Sequence, residues 1–180
     1  GVGMTALSPI DPAHFNGVKP HAERPIACGY AGNPGSDGSF RRHILSELMF
    51  HKAIDVRLRS DQADTYQAMC DYVQDCRITL NLSHTGTQAS KQVKGRVVEA
   101  ALAGSCLLEL ANSPTRDWFE AGVDFLEYSR PGDAIETIQH YSKHPELTEA
   151  IGKRLREKVL AQHAPHMFWG RILERLGTPV

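Results

Sequence analysis

The chain has 180 residues, 41% hydrophobic and 23% charged, which suits one well-cored soluble domain and is short for two. A formal net charge of -1 gives no sign of nucleic-acid or anionic-membrane binding. No apolar run approaches the about 20 residues of a membrane span, so no transmembrane segment is expected, and the N-terminus lacks the basic-then-apolar form of a signal peptide. Cys28, Cys70, Cys76 and Cys106 are far apart and without metal-ligand spacing; they read as reduced, mostly buried thiols of a cytoplasmic protein.

Residues 1–24, rich in Gly and Pro and without periodicity, read as an irregular segment or linker. A Rossmann-like domain is expected over residues 25–180. Pro25 to Ala31 is the first strand, followed by a loop in which Gly32, Gly35 and Gly38 permit close approach of a ligand. Ser36, Asp37 or Ser39 can cap the next helix, whose apolar face is Ile44, Leu45, Leu48 and Met49. Strand, Gly-rich turn and helix open a Rossmann-like unit, although the spacing does not match GxGxxG. Arg41 and Arg42 fall in the first helical turn and are suited to bidentate phosphate contact; the alternative is a solvated basic helix start.

Ala53 to Leu58 alternates as a strand, and Asp61 to Gln74 reads as an amphipathic helix with Tyr66, Met69, Cys70 and Val73 inward. Arg77 to Leu82 is the next strand. The polar loop after it, Ser83 to Thr87, lies at the C-terminal strand edge where open α/β sheets place ligands. There His84 reads as an acid or base, or as a partner of a nucleobase or phosphate, unless it is merely solvated.

Two periods meet in KGRVVEAALAGSCLLEL, Lys94 to Leu110. Val97, Val98, Ala101 and Leu102 fall at helical spacing, Gly104 is a natural stop, and Cys106 to Leu108 is a short buried-strand run. Lys94, Gly95 and Arg96 open the helix, so two cations and an unobstructing glycine coincide with the positive dipole end and its free N–H groups. Such an end suits phosphate. One turn later Glu99 is placed to accept hydrogen bonds from hydroxyls; the bland alternative is an Arg96–Glu99 surface pair at i,i+3.

Asn112 to Gly122 holds a short helix with Ser113 as cap and Pro114 at its first position, and Trp118 and Phe119 pack it on the sheet. Val123 to Tyr128 is the last strand. Pro131 to Tyr141, Pro145 to Gln162 and Met167 to Leu176 are helices, the second with Leu147, Ile151, Leu155 and Val159 on one stripe. The fold class is therefore α/β, a single domain with a mostly parallel sheet and helices on both faces.

RVVEAALAG with its short apolar strand, FEAGVDFLEYSRPGDAIETI, CRITLNLS and HAPHMFWGRIL together resemble the C-terminal, donor-binding domain of group 1 glycosyltransferases of the GT-B fold, closest to the CgeB-like branch. The resemblance runs from Pro25 to Leu176. It implies a site for a nucleotide diphosphate sugar in which Glu99 contacts the donor ribose. Arg41, Arg42, Lys94, Gly95 and Arg96 would hold the diphosphate, with no cofactor and no metal. The broader family's earlier acid, eight residues before Glu99, falls on Lys91, so the carry-over stops at donor binding.

A complete enzyme of this kind has two Rossmann-like domains with the active site between them. An acceptor-binding N-terminal domain or partner chain is accordingly expected, with Phe168 and Trp169 on the closing helix exposed or buried against it. The competing reading is a binding or interaction module that kept the fold and lost transfer. A nucleotide-sugar epimerase with the same architecture draws on fold analogy alone.

Overall fold

The structure, a computed structural model, describes residues 6–59, 65–84 and 91–177. Five parallel strands form one sheet: β1 (Ile26–Ala31), β2 (Val56–Arg59), β3 (Cys76–Asn81), β4 (Cys106–Leu110) and β5 (Leu126–Tyr128). Their order across the sheet is β2-β1-β3-β4-β5. The chain thus moves outward in one direction from β1 to β2, then returns to pair β3 on the other side of β1. That reversal leaves a crevice beyond the C-terminal ends of β1 and β3, the place where an open parallel sheet can admit a ligand without disturbing a ladder.

Among the described residues the helices are α1 (Phe40–Met49), α2 (Tyr66–Gln74), α3 (Gly95–Leu102), α4 (Pro131–Tyr141), α5 (Pro145–Gln162) and α6 (Pro165–Arg175), of which α1 to α5 pack on the sheet. On one face Ile44, Leu45 and Leu48 of α1 and Ala134 and Ile138 of α4 pack with Tyr30, Ile78, Leu80 and Leu108. On the other, Cys70, Val73, Val97, Ala101, Leu155 and Val159 from α2, α3 and α5 pack with Leu107 and Phe125. The strands are apolar on both sides because both sides are covered. All four cysteines are buried and unpaired.

Gly104 stops α3 with φ +62°, and its main-chain oxygen lies where α5 passes. A Cβ on Gly152 of α5 would stand 2.2 Å from that oxygen, so only glycine allows the two elements this approach.

Among its described residues the N-terminal segment has 3-10 turns at Pro12–Phe15 and His21–Glu23 but no α-helix or strand. It is nevertheless fastened to the core. The Arg24 side chain, 1% exposed, donates to the main-chain oxygens of Lys19 (3.0 Å), Cys76 (2.8 Å) and Ala103 (2.9 Å). His21 bonds the Thr148 hydroxyl at 2.8 Å and the Gly104 oxygen at 2.7 Å. Burial and the Arg24 charge push the His21 imidazole down to about 4, so it is neutral near pH 7.

Several expectations shift in detail. Tyr66, Met49 and Leu147, placed inward by periodicity, are exposed. The last strand begins only at Leu126, because Gly122 to Asp124 are taken up in a turn whose amides bond Phe125 and Glu120 oxygens. Residues 61–64 of the expected second helix and Thr85, Gly86 and Thr87 of the expected polar loop lie outside the described residues. In α6 no described side chain is buried, and Trp169 is 54% exposed. No helix of the described residues is long and apolar enough to cross a membrane.

Candidate functional site

A cavity of about 280 Å³ occupies the crevice at the β1/β3 reversal. Tyr30, Ala31 and Gly32 close it from β1, Asn81 and Leu82 from β3, Arg41 from α1, and Lys94, Gly95, Arg96 and Glu99 from α3. Five of the seven site residues expected from sequence therefore share one hollow, although the elements that carry them are far apart in the chain.

The start of α3 brings open amides and a cation to the cavity. Lys94 occupies the cap position without a capping side chain, so the first amides of the helix remain open to a ligand. Gly95 has open space where a Cβ would stand. Partial burial, then the nearby Arg41 charge, lower the Lys94 ammonium below its ordinary value, with Glu109 pulling the other way. Two cations near each other with limited water are a local excess of positive charge that an anion would relieve.

Arg96 and Glu99 form an ion pair at 2.8 Å. The pairing foreseen as the bland alternative is real, but its side chains are only 15% and 10% exposed and both face the cavity. It is part of the site's wall and not a solvated surface pair. The pair also orients the carboxylate, leaving its acceptor capacity directed by a fixed neighbour.

Arg41 reaches back over the crevice. Its guanidinium donates to the main-chain oxygens of Asn33 (3.2 Å) and His84 (3.1 Å), joining the Gly-rich loop after β1 to the segment after β3. Its Nε is buried with no partner among the described residues. Tyr30 donates to the same Asn33 oxygen at 3.1 Å, so the loop is held from both sides.

Two expected residues lie elsewhere. Arg42 turns away from the cavity and pairs with Asp37 at 3.3 Å on the exposed side of α1. Ser39 caps that helix by accepting from the Arg42 amide at 3.3 Å, and Arg41, three, four and seven residues before the buried Ile44, Leu45 and Leu48, shares their inward face while its neighbour points outward. His84 does not line the cavity. Its ring packs edge-on against Phe40, with centroids 4.7 Å apart. Its Nδ1 is buried without a partner among the described residues, and burial with the Lys91 and Arg41 charges holds its pKa below the usual histidine value. Lys91, at the position of the family's earlier acid, bonds the main-chain oxygen of Ala111.

Sequence reasoning missed Asn81 and the fully buried Glu109 that lies behind it. Asn81 Nδ2 donates to Glu109 at 2.6 Å. Glu109 also accepts from the Leu110 amide at 2.9 Å and the Thr115 hydroxyl at 3.4 Å. Burial pushes this carboxyl up to about 7, and its hydrogen bonds, that from Asn81 foremost, act against that rise. The available signal was a lone acid inside the apolar run Leu107 to Leu110.

Comparison with known structures finds a similar fold in several solved proteins. HepE of Anabaena, solved in complex with UDP, superposes with a TM-score of 0.66 at 12% identity over 93% of this chain and 53% of that one. The HepE complex with UDP-glucose gives 0.64 at 13%, over the same shares. An alpha1,3-fucosyltransferase gives 0.55 at 13%, covering 74% of this chain and 38% of that one. The chain thus spans about half or less of the length of these structures. No curated protein matches the sequence. The family model described as Glycosyl transferase-like matches residues 40–174, most of the chain and the whole of the crevice apart from the end of β1. The chain belongs to this Glycosyl transferase-like family, and its single α/β domain has the Rossmann-like architecture of the GT-B fold.

Proposed function

We propose that the crevice binds the donor of a glycosyl transfer, a nucleoside diphosphate sugar. The observation that carries this reading is the convergence of Arg41, Lys94, Arg96, Glu99 and the uncapped start of α3 on one cavity at the β1/β3 reversal. The α3 amides and Lys94 hold the diphosphate, Arg41 closes over it from the opposite wall, and Glu99, steadied by Arg96, accepts from donor hydroxyls. The presence of UDP or UDP-glucose in the HepE complexes supports this choice of ligand.

In the transfer, the bond between the sugar's anomeric carbon and the diphosphate oxygen breaks while an acceptor oxygen bonds that carbon. Negative charge grows on the departing diphosphate. Fixed cations and helix N–H groups aimed at that charge stabilise it more in the transition state than in the ground state, which is how such a site would accelerate the step without a metal. The acceptor would come from a second domain or partner chain facing the open rim. A CgeB-like relationship and a cytoplasmic location belong to the same proposal.

Calorimetric titration of the chain with UDP, GDP, ADP and dTDP tests the reading. Binding of at least one diphosphate, weakened by Glu99→Ala, is the expected result. No heat from any of the four at millimolar ligand would overturn it.

A further inference from the structure

Behind the cavity wall, Glu109 and Asn81 stand opposite one another in register on β4 and β3. Glu109 is 0% exposed, and among the described residues it forms no ion pair. A buried carboxylate outside an ion pair is costly to keep, and this one accepts from Asn81 Nδ2, the Leu110 amide and the Thr115 hydroxyl, with the Ser83 hydroxyl beside it, the shortest contact being the 2.6 Å bond from Asn81. The main-chain oxygen of Asn81 accepts from the Tyr128 hydroxyl at 3.4 Å, so backbone and side chain of Asn81 are both held.

The chemistry of the pair is directional. An ionised carboxylate only accepts, whereas a primary amide has one accepting and one donating end. While Glu109 is ionised, Asn81 must turn Nδ2 towards it. The Oδ1 end is then left for the cavity, which Asn81 lines. A protonated Glu109 can donate, and the amide is then free to reverse and offer a donor to the cavity instead.

We propose that Glu109 is a positioning residue for ligand recognition: it locks the Asn81 amide so that the side-chain oxygen faces the cavity and selects a hydroxyl or N–H donor on the ligand. The ligand half of this statement rests on the donor-site reading; the lock itself does not. The groups facing Glu109 include the Lys94 ammonium from α3, which favours the ionised form, and the Tyr128 phenol from β5, which burial keeps neutral. With its carboxyl at about 7, Glu109 changes charge in the neutral range, so the lock is open to pH.

The test uses the full chain and two readouts. The side-chain amide resonances of Asn81, followed by NMR from pH 5.5 to 8.5, are expected to titrate with a midpoint near 7 and to stop doing so in Glu109→Gln. A titration of the Asn81 amide that persists unchanged in Glu109→Gln would show that another group acts on it and would overturn the lock, whether or not any diphosphate binds. The second readout is UDP affinity at pH 8 in wild type, Glu109→Gln, Asn81→Ala and the double variant. Loss of one oriented hydrogen bond predicts a weakening of several-fold to about tenfold in each single variant, with the double no weaker than Asn81→Ala alone. Additive losses would show that Glu109 acts independently of Asn81 and would overturn the proposal. Titration of Asn81 without binding of any nucleoside diphosphate would leave the lock standing and remove its ligand.

Discussion

Arg41 donates to the main-chain oxygen of His84 at 3.1 Å, a bond that spans the crevice between the segment after β3 and the first turn of α1. The same guanidinium holds Asn33, so one side chain both braces the cavity and brings positive charge to it. Arg41→Ala is expected to weaken diphosphate binding roughly 10- to 100-fold, the range for losing a charge-assisted contact. Arg42→Ala should change it by less than about threefold, because exposed pairs contribute little. Affinities for the best-binding diphosphate, measured side by side, check the contrast.

Arg96 and Glu99 depend on each other in a way that distinguishes two substitutions. Arg96→Ala leaves the Glu99 carboxylate nearly buried beside the cavity without its partner, so it is expected to lower stability by roughly 1–3 kcal/mol as well as to weaken binding. Glu99→Gln keeps the shape and much of the hydrogen bonding, and its melting temperature should stay close to wild type while affinity falls. Thermal melts run beside binding titrations separate the two effects.

The structure makes opposed predictions for the two limbs of the pH-stability curve. Glu109 has a folded pKa of about 7, raised by burial above its ordinary value, so its favourable contribution is complete in acid and is lost as pH rises towards and through 7. His21 is the reverse case. Its folded pKa of about 4 lies below the ordinary 6.5, so its contribution is present above 6.5 and is lost as pH falls towards and through 4. Glu109→Gln should flatten the fall in stability between about pH 5 and 7, and His21→Gln the fall between about pH 6 and 4, by up to a few kcal/mol each. Denaturant midpoints measured across that range decide the signs.

Gly152→Ala places a methyl group where only 2.2 Å separates it from the Gly104 oxygen. Moving α5 away from α3 is the available relief, and overpacking of this kind costs about 1–3 kcal/mol. A lower melting temperature with diphosphate affinity retained in the folded fraction is the expected result, since the contact lies at the opposite end of β4 from the cavity.

Much of this layout could be read before any coordinates. The alternation of short apolar runs with helical periods specifies a parallel sheet, and the Lys94, Gly95, Arg96 and Glu99 group sits in the wall that its position at a helix start implied. What composition cannot resolve is rotation. Neighbouring positions on a helix point about 100° apart, and with Met49 counted in the apolar face of α1 both Arg41 and Arg42 suited the inward side; Met49 is exposed, so the buried face is Ile44, Leu45 and Leu48, and that face carries Arg41.

Long-range pins were equally hidden. Arg24 and His21 lie in a segment with no pattern, and apart from the Thr148 hydroxyl that His21 also bonds, their partners here are main-chain oxygens that any sequence would supply. Glu109 was legible only as an acid in an apolar strand, since its significance depends on the register that sets Asn81 beside it. His84 sits on the expected edge of the sheet, yet packing against Phe40 holds its ring out of the cavity.

The most direct test of the central claim is to map where a nucleoside diphosphate lands. UDP titrated into the isotope-labelled chain should shift the backbone amides of Gly32, Gly95 and Arg96 and the side-chain amide of Asn81 first and furthest. Shifts centred on another surface, or none at all at millimolar UDP, GDP, ADP and dTDP, would contradict a donor site at the β1/β3 crevice.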